Sequence, residues 1–261
     1  MLNTSVTIKG HGEPIMEVLS TGIPLLDEAL GGGLLPDSTL LIVYDEYSQG
    51  WLLAFEILRN RVEEGDFGVV LNSVLPMSSL EMELKALNLD IRKLGEREKL
   101  AVLDIFSSFY GLNYPEKFIY TDTSIDPTTF LPKYVQLYTR LLKRMIGDKR
   151  PVGVDLTIDG MAFLLGEENF LRTLQRLMAT KEKARLMEKR KRPINIWLIN
   201  RARATERLTS WVALYSQYVI EFQSKDTATE KMYIRKSPLP DFQPRDGGYK
   251  FVMRRGKVEI T

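Results

Sequence analysis

Short continuous apolar runs alternate with longer stretches of three- and four-residue apolar spacing along most of this chain. The runs fall at 39–44 (TLLIVY), 68–73 (GVVLNS), 100–106 (LAVLDIF), 151–158 (PVGVDLTI), 194–200 (INIWLIN) and 218–223. Their length and their Gly, Pro or polar borders predict buried strands. Helices are predicted between them, from about 49 to 64, from Pro76–Ser78 onward, at 128–146, from about 167, and at 204–214. The clearest helical period is Phe130, Tyr134, Leu137, Tyr138, Leu141, Leu142 and Met145, stopped by Gly147. Near the start, a strand over 5–9 and a loop to residue 18 precede another helix. Ser20 or Thr21 is placed to cap that helix, Pro24 lies in its first turn, and Gly31-Gly32-Gly33 ends it. The tail reads as strands at 229–236, 249–253 and 257–260, turning at Gly247-Gly248 and Arg255-Gly256.

Strands separated by helices predict an α/β fold, a mostly parallel sheet covered on both faces, with an antiparallel edge from the tail. No repeat or linker interrupts the pattern. The expected organisation is an N-terminal extension over 1–18 and a single domain over 19–261, long enough for a sizeable core. Residues 39–73 form its centre: buried strand, tight turn, apolar helix, second buried strand. That is the frame of a mononucleotide-binding βαβ unit.

Composition narrows the chemistry sharply. The absence of cysteine excludes disulfides, thiolate metal sites and a Cys nucleophile. His11 is the only histidine, which removes His-based triads and two-His zinc sites, and a lone imidazole in a loop reads as incidental. Net charge is +2, so attraction to nucleic acid or membrane would have to come from local clusters. The apolar runs fall short of the roughly 20 residues needed to span a bilayer. The N-terminus lacks a basic start followed by an apolar core, so the expectation is a cytoplasmic protein without a signal peptide or membrane partner.

Residues 20–43, STGIPLLDEALGGGLLPDSTLLIV, resemble the opening of the RecA/KaiC-like P-loop ATPases of archaea and bacteria. In that family a similar STG–LDE–GGG helix precedes the first core strand. The likeness continues through 68–80, KLAVLDIF and the tail RKSPLPDFQPRDGGYKFVMRRGKVEI, over about residues 18–260 at low identity. The resemblance implies a RecA-like fold and assembly into rings or filaments.

It also implies a phosphate loop, G-x-x-x-x-G-K-[ST], whose backbone N–H groups, Lys and hydroxyl hold phosphates and Mg²⁺. The matching positions here are Tyr44, Asp45, Glu46, Tyr47, Ser48, Gln49, Gly50 and Trp51. Tyr44 and Gln49 replace the glycines, Gly50 the Lys, and Trp51 the Ser/Thr. Asp45 and Glu46 would repel a phosphate by about 1 to 4 kcal/mol each. The acidic pair that activates water in the family aligns with Val74 and Leu75, leaving no general base there. Asp159, after strand 151–158, matches the Asp that helps hold Mg²⁺, and Asn200 lies where a polar sensor sits; polar strand ends are also common without any such role. The unpaired N–H groups at the head of the following helix are expected to be satisfied internally by Asp45, Glu46 or Ser48.

Two basic segments flank strand 194–200. Lys189, Arg190, Lys191 and Arg192 close the run 181–192, and Arg201, Arg203 and Arg207 follow the strand, where RecA-like recombinases place a DNA-contacting loop. They read either as a phosphate-backbone contact or as solvated helix ends. Phe106, Phe109, Tyr110, Tyr114, Phe118 and Tyr120 read either as loop packing or as a surface groove. Trp51 would plug the cleft or anchor something in it. The sequence thus points to a catalytically inactive RecA/KaiC-like domain without cofactor or metal, binding a protein, a peptide or copies of itself. Nucleic-acid binding through 181–207 and an ATPase with a rebuilt phosphate site are the alternatives.

Overall fold

The computed structural model describes residues 5–8, 16–187, 189–226, 229–254 and 256–261; His11 and the Arg255 half of the last predicted turn lie outside them. Strands β1 (Ser5–Ile8) and β2 (Met16–Leu19) pair antiparallel, and helix α1 (Pro24–Leu30) follows. The central unit is β3 (Thr39–Tyr44), α2 (Leu52–Glu63) and β4 (Phe67–Asn72). Next come α3 (Met77–Lys85), α4 (Ile91–Glu96), β5 (Leu100–Asp104), α5 (Ile105–Phe109) and β6 (Ile119–Tyr120). Helix α6 (Phe130–Leu141) runs into a π-helical turn (Leu142–Ile146), before β7 (Pro151–Asp155), α7 (Ile158–Leu165) and α8 (Glu167–Met187). The chain finishes with β8 (Ile194–Asn200), α9 (Glu206–Tyr215), β9 (Tyr218–Asp226), β10 (Thr229–Lys236), β11 (Tyr249–Arg254) and β12 (Lys257–Ile260).

Ten strands form one sheet in the order β12-β11-β10-β9-β3-β8-β7-β4-β5-β6. From β9 to β6 every pairing is parallel, and β9 through β12 pair antiparallel. All residues of β3 are buried, because helices cover both faces of the sheet at its centre. Alternation along β3 feeds two cores. Leu40 and Ile42 join α1 to α4 on one face, while Leu41 and Val43 join α5 to α9 on the other.

Several local expectations are corrected. Strand β2 covers 16–19, where a loop was expected, and it crosses the 18/19 boundary to bury Val18 and Leu19. Neither Ser20 nor Thr21 caps α1; the N-cap is Ile23. Asp27 instead draws both back, accepting from Ser20 Oγ–H (2.6 Å) and Thr21 N–H (2.8 Å). Strand β5 stops at Asp104, not at 106, because its carboxylate caps α5 by accepting from Ser107 N–H at 3.0 Å. Strand β7 stops at Asp155, and Thr157 caps α7 by accepting from Gly160 N–H at 2.9 Å. Of the aromatics on the long connection, Phe118 and Tyr120 are buried, and Phe109 and Tyr114 pack on the cores. Tyr110 is exposed and meets Phe106 with ring centroids 4.8 Å apart.

A buried ionic knot ties the C-terminal turn of α2 to the segments that lead into β4, β7 and β8. Asp66 is held by Arg61 of α2, whose Nε–H donates to it at 2.8 Å, and Arg150 approaches its other oxygen at 3.9 Å. Arg150 also donates to the Arg192 carbonyl (2.7 Å) and to Glu17 (2.8 Å), and Arg61 donates to the Ser20 carbonyl (3.3 Å). Removing one member strands buried charge, which costs far more than an exposed pair would. Asp66→Ala is expected to destabilise the fold by about 3 kcal/mol in urea unfolding, whereas loss of the exposed Arg172–Glu168 pair should leave the unfolding midpoint almost unchanged.

Candidate functional site

The turn between β3 and α2 lies at the C-terminal end of the parallel strands, where open α/β sheets place ligands. Helix α2 begins later than the sequence suggests, at Leu52, with Trp51 as an N-cap that makes no side-chain cap. The turn meets its own polar demand. Gly50 N–H donates to Ser48 Oγ (2.9 Å), Ser48 Oγ–H donates to Glu230 Oε2 (2.7 Å), and Gln49 N–H donates to Glu230 Oε1 (2.5 Å). Asp45 turns away from the helix and accepts from Ser224 N–H at 3.0 Å. Of the three side chains expected to satisfy the helix head, Ser48 does so in part, Asp45 serves β9, and Glu46 is exposed. The main contributor is Glu230, on β10.

Sequence reasoning missed Glu230 for a physical reason. It is 182 positions from Ser48, and only the antiparallel pairing of β10 with β9, opposite Ser224, carries it to the turn. Gly50 has an equally long-range cause. A Cβ there would overlap the ring of Phe222, which is fully buried and lies edge-on to Phe251 with centroids 4.8 Å apart. No side chain, lysine included, fits at position 50 without displacing that ring.

A cleft of about 840 Å³ opens beside the turn, lined by Tyr44, Trp51, Val74, Leu75, Phe163 and Asp159, with Glu46, Ser48, Glu83, Asn200 and Arg203 among its polar contributors. Trp51 is partly buried, edge-on to Phe55 at 5.8 Å, so it forms a wall of the cleft. Asp159 sits in the first turn of α7, not at the end of a strand. Its Oδ1 accepts from Asn200 N–H (3.0 Å) and its Oδ2 from Arg203 Nε–H (2.6 Å). Asn200 joins the same lattice, donating to the Asp45 carbonyl (3.2 Å) and accepting from Ala202 N–H (2.9 Å). Burial and the nearby Asp159 carboxylate raise the Tyr44 phenol above its ordinary pKa, against the pull of Arg203. Tyr47, at the apex of the turn, is exposed.

These residues do not fit a Mg²⁺–nucleotide. Both oxygens of Asp159 are engaged by N–H donors, Trp51 supplies no hydroxyl ligand, and among the described residues no group of acidic or histidine side chains is arranged to hold a metal. Val74 and Leu75 present apolar surface where a general base would be needed.

The arginines after β8 are absorbed by the protein's own acids. Arg201 pairs with Glu221 and reaches Asp45 (4.0 Å), Arg203 pairs with Asp159, and Arg207 pairs with Glu168 (2.7 Å). Lys189, Arg190 and Lys191 are exposed at the opposite end of the sheet, beyond α8, while Arg192 donates to the Arg185 carbonyl at 2.9 Å. The two basic segments therefore do not form one surface.

No protein-family model matches the chain, and no curated protein matches it. Solved structures do. The uncharacterized protein PH0321 from Pyrococcus horikoshii, crystallised in complex with an unknown peptide, is 19% identical with a TM-score of 0.76, over 93% of this chain and 98% of its own. The KaiC-like protein PH0186 from Pyrococcus horikoshii OT3 is 18% identical with a TM-score of 0.70, over 94% and 99%. The chain has a RecA/KaiC-like fold. At this identity the likeness concerns architecture, and the chemistry rests on the residues just described.

Two outcomes follow for the turn. Gly50→Ala should destabilise the protein by about 1–3 kcal/mol, the usual cost of overpacking, read from chemical unfolding. Glu221 carries the second. Burial would raise its pKa, but hydrogen bonds from Arg201, Gln223 and Arg235 outweigh that and bring it down to about 2. A depressed carboxylate contributes stability above its unfolded pKa and loses it as pH falls through the folded value. The stability gap between wild type and Glu221→Gln should thus be full at neutral pH and close as pH falls from about 4.5 towards about 2. A gap that stays constant over that window would contradict the assignment.

Proposed function

We propose that this protein is a catalytically inactive RecA/KaiC-like domain that binds a peptide segment of another protein, or of a second copy of itself, in the cleft beside the β3–α2 turn. The observation that carries the reading is the Glu230 carboxylate seated on Ser48 Oγ–H and Gln49 N–H. A phosphate entering there would have to displace an internal anion and meet Asp45 and Glu46 nearby. Hydrolysis would also need a base and a metal ligand set, and Val74, Leu75, Trp51 and the doubly bonded Asp159 supply neither.

What remains suits a peptide. The cleft combines apolar walls with a few polar groups that orient a guest. Phe163 stands at its edge with 83% of its surface exposed, an aromatic anchor of the kind that dominates binding interfaces. The crystallised complex of PH0321 with an unknown peptide is consistent with the same use of a similar fold. Nucleic acid is a poorer partner for this face, because Arg201, Arg203 and Arg207 are paired within the chain. Among the described residues no helix is long and apolar enough to cross a membrane, and we place the protein in the cytoplasm without a nucleotide cofactor.

Peptides selected on the wild-type protein from a random display library provide the test. Their binding should be saturable, indifferent to excess Mg²⁺–ATP, and weakened at least about tenfold by Phe163→Glu, the scale of losing one aromatic anchor. Selected peptides that ignore Phe163→Glu, or that Mg²⁺–ATP displaces, would contradict the reading.

A further inference from the structure

A second cavity, of about 380 Å³, lies on the other face of the sheet, between β7–β8 and the helices α6 and α8. Its walls are largely apolar, with Tyr134, Tyr138, Leu142, Phe170, Leu174 and Trp197 prominent among them. It reaches the N-terminal ends of β3, β7 and β8 at Asp37, Pro151 and Pro193, away from the cleft. Its volume is within the range of small-molecule sites.

Four features distinguish it from a packing defect. The first is Asp155, a carboxylate on the cavity wall. Thr157 N–H hydrogen-bonds to the group, yet its Oδ1 is buried with no hydrogen-bond partner. An unpartnered carboxylate oxygen in an apolar setting is costly and calls for a donor. The second is Gly153, one pleat before Asp155 on the same face. A Cβ there would meet only ordinary contacts, Asn195 Oδ1 at 3.6 Å and the Ile194 carbonyl at 4.0 Å, so the absent side chain keeps the cavity open without steric necessity. The third is the π-helical turn Leu142–Ile146, which contributes Leu142 and Ile146 to the lining; such turns recur at functional sites. The fourth is charge. Lys149, Lys181, Arg185, Arg190, Lys191 and Arg192 line the cavity, against Asp37 and Asp155 as the acids among the described lining residues. Lys181 spends its charge on Asp37 at 2.9 Å, and Arg185 spends its charge on Glu182. Lys149 and Arg192 donate only to the uncharged carbonyls of Glu98 and Arg185 and Lys191 is exposed, so these three keep the end near Pro193 positive.

We propose that this cavity binds a small amphipathic acid: an apolar body between α6, α8 and the sheet, an anionic group at the basic end, and a hydroxyl or amine N–H donated to Asp155 Oδ1. Burial, reinforced by Asp159, pushes the Asp155 carboxyl up to about 7, so a neutral hydroxyl donor suits it across the physiological range. The basic run 181–192, which the cleft leaves unused, gains a role as the rim of this site.

Titration calorimetry of the full chain with a medium-chain ω-hydroxy fatty acid, the matching plain fatty acid and the matching fatty amine tests the proposal. The hydroxy acid should bind at one site, about tenfold more tightly than the plain acid, the scale set by leaving one buried polar group unpaired. The amine should bind most weakly. Asp155→Leu should abolish the preference for the hydroxyl, and Gly153→Leu should weaken both acids at least about tenfold by filling the cavity. Leu177→Trp, at a half-buried lining position on α8, decides the matter if Gly153→Leu proves unfolded by circular dichroism. No saturable heat from either acid, binding undiminished in the folded cavity-filling variants, equal affinity of the two acids for wild type, or tightest binding of the amine would each overturn it.

Discussion

The Glu230 carboxylate, taking one hydrogen bond from a hydroxyl and another from a backbone N–H of the turn after β3, sets the character of the molecule's centre. A helix head and the turn before it present donors that in this architecture commonly face an anion. Here the anion comes from the chain itself, delivered by β10 of the antiparallel extension. The arrangement makes the antiparallel extension β9–β12 more than a covering, since β10 brings Glu230 and β9 brings both Phe222 and the Ser224 N–H that engages Asp45. The turn, the helix α2 and the tail of the chain are consequently one mechanical unit.

That unit would resist conversion into a phosphate site. Placing a lysine at position 50 would require the Phe222 ring to move, and Phe222 is locked by Phe251 and by the core on that face. Building a metal site there would require Asp159 to release Arg203 and the Asn200 backbone. Gly50, Trp51 and Asp159 each take part in a contact that uses the residue present. Our proposal of a binding protein follows from this interlocking more than from the missing lysine alone.

The sheet and its helices were legible because buried parallel strands write themselves as continuous apolar runs, and β3, β4 and β8 fell within one residue of the expected limits. Boundaries failed where a polar side chain chose a local cap. Asp104 and Thr157 start helices inside segments whose hydrophobicity alone extends the strand. The turn was legible as altered, and Ser48 as one of its internal partners. Glu230 was not, since nothing in a glutamate near the start of an antiparallel strand announces which distant N–H it will meet. The arginines after β8 were visible as charge, but their pairing with Glu221, Asp159 and Glu168 depends on helix and strand placement. The cavity by Asp155 was invisible for a similar reason, because an absence of packing has no sequence signature beyond a glycine in a strand.

The central proposal is that the β3–α2 turn is filled from within and does not serve nucleotide. Isothermal titration of the wild-type protein with ATP and Mg²⁺ addresses it directly. The account predicts no saturable binding at micromolar concentrations, with Glu230 remaining on Ser48 and Gln49. Micromolar affinity for Mg²⁺–ATP would contradict it.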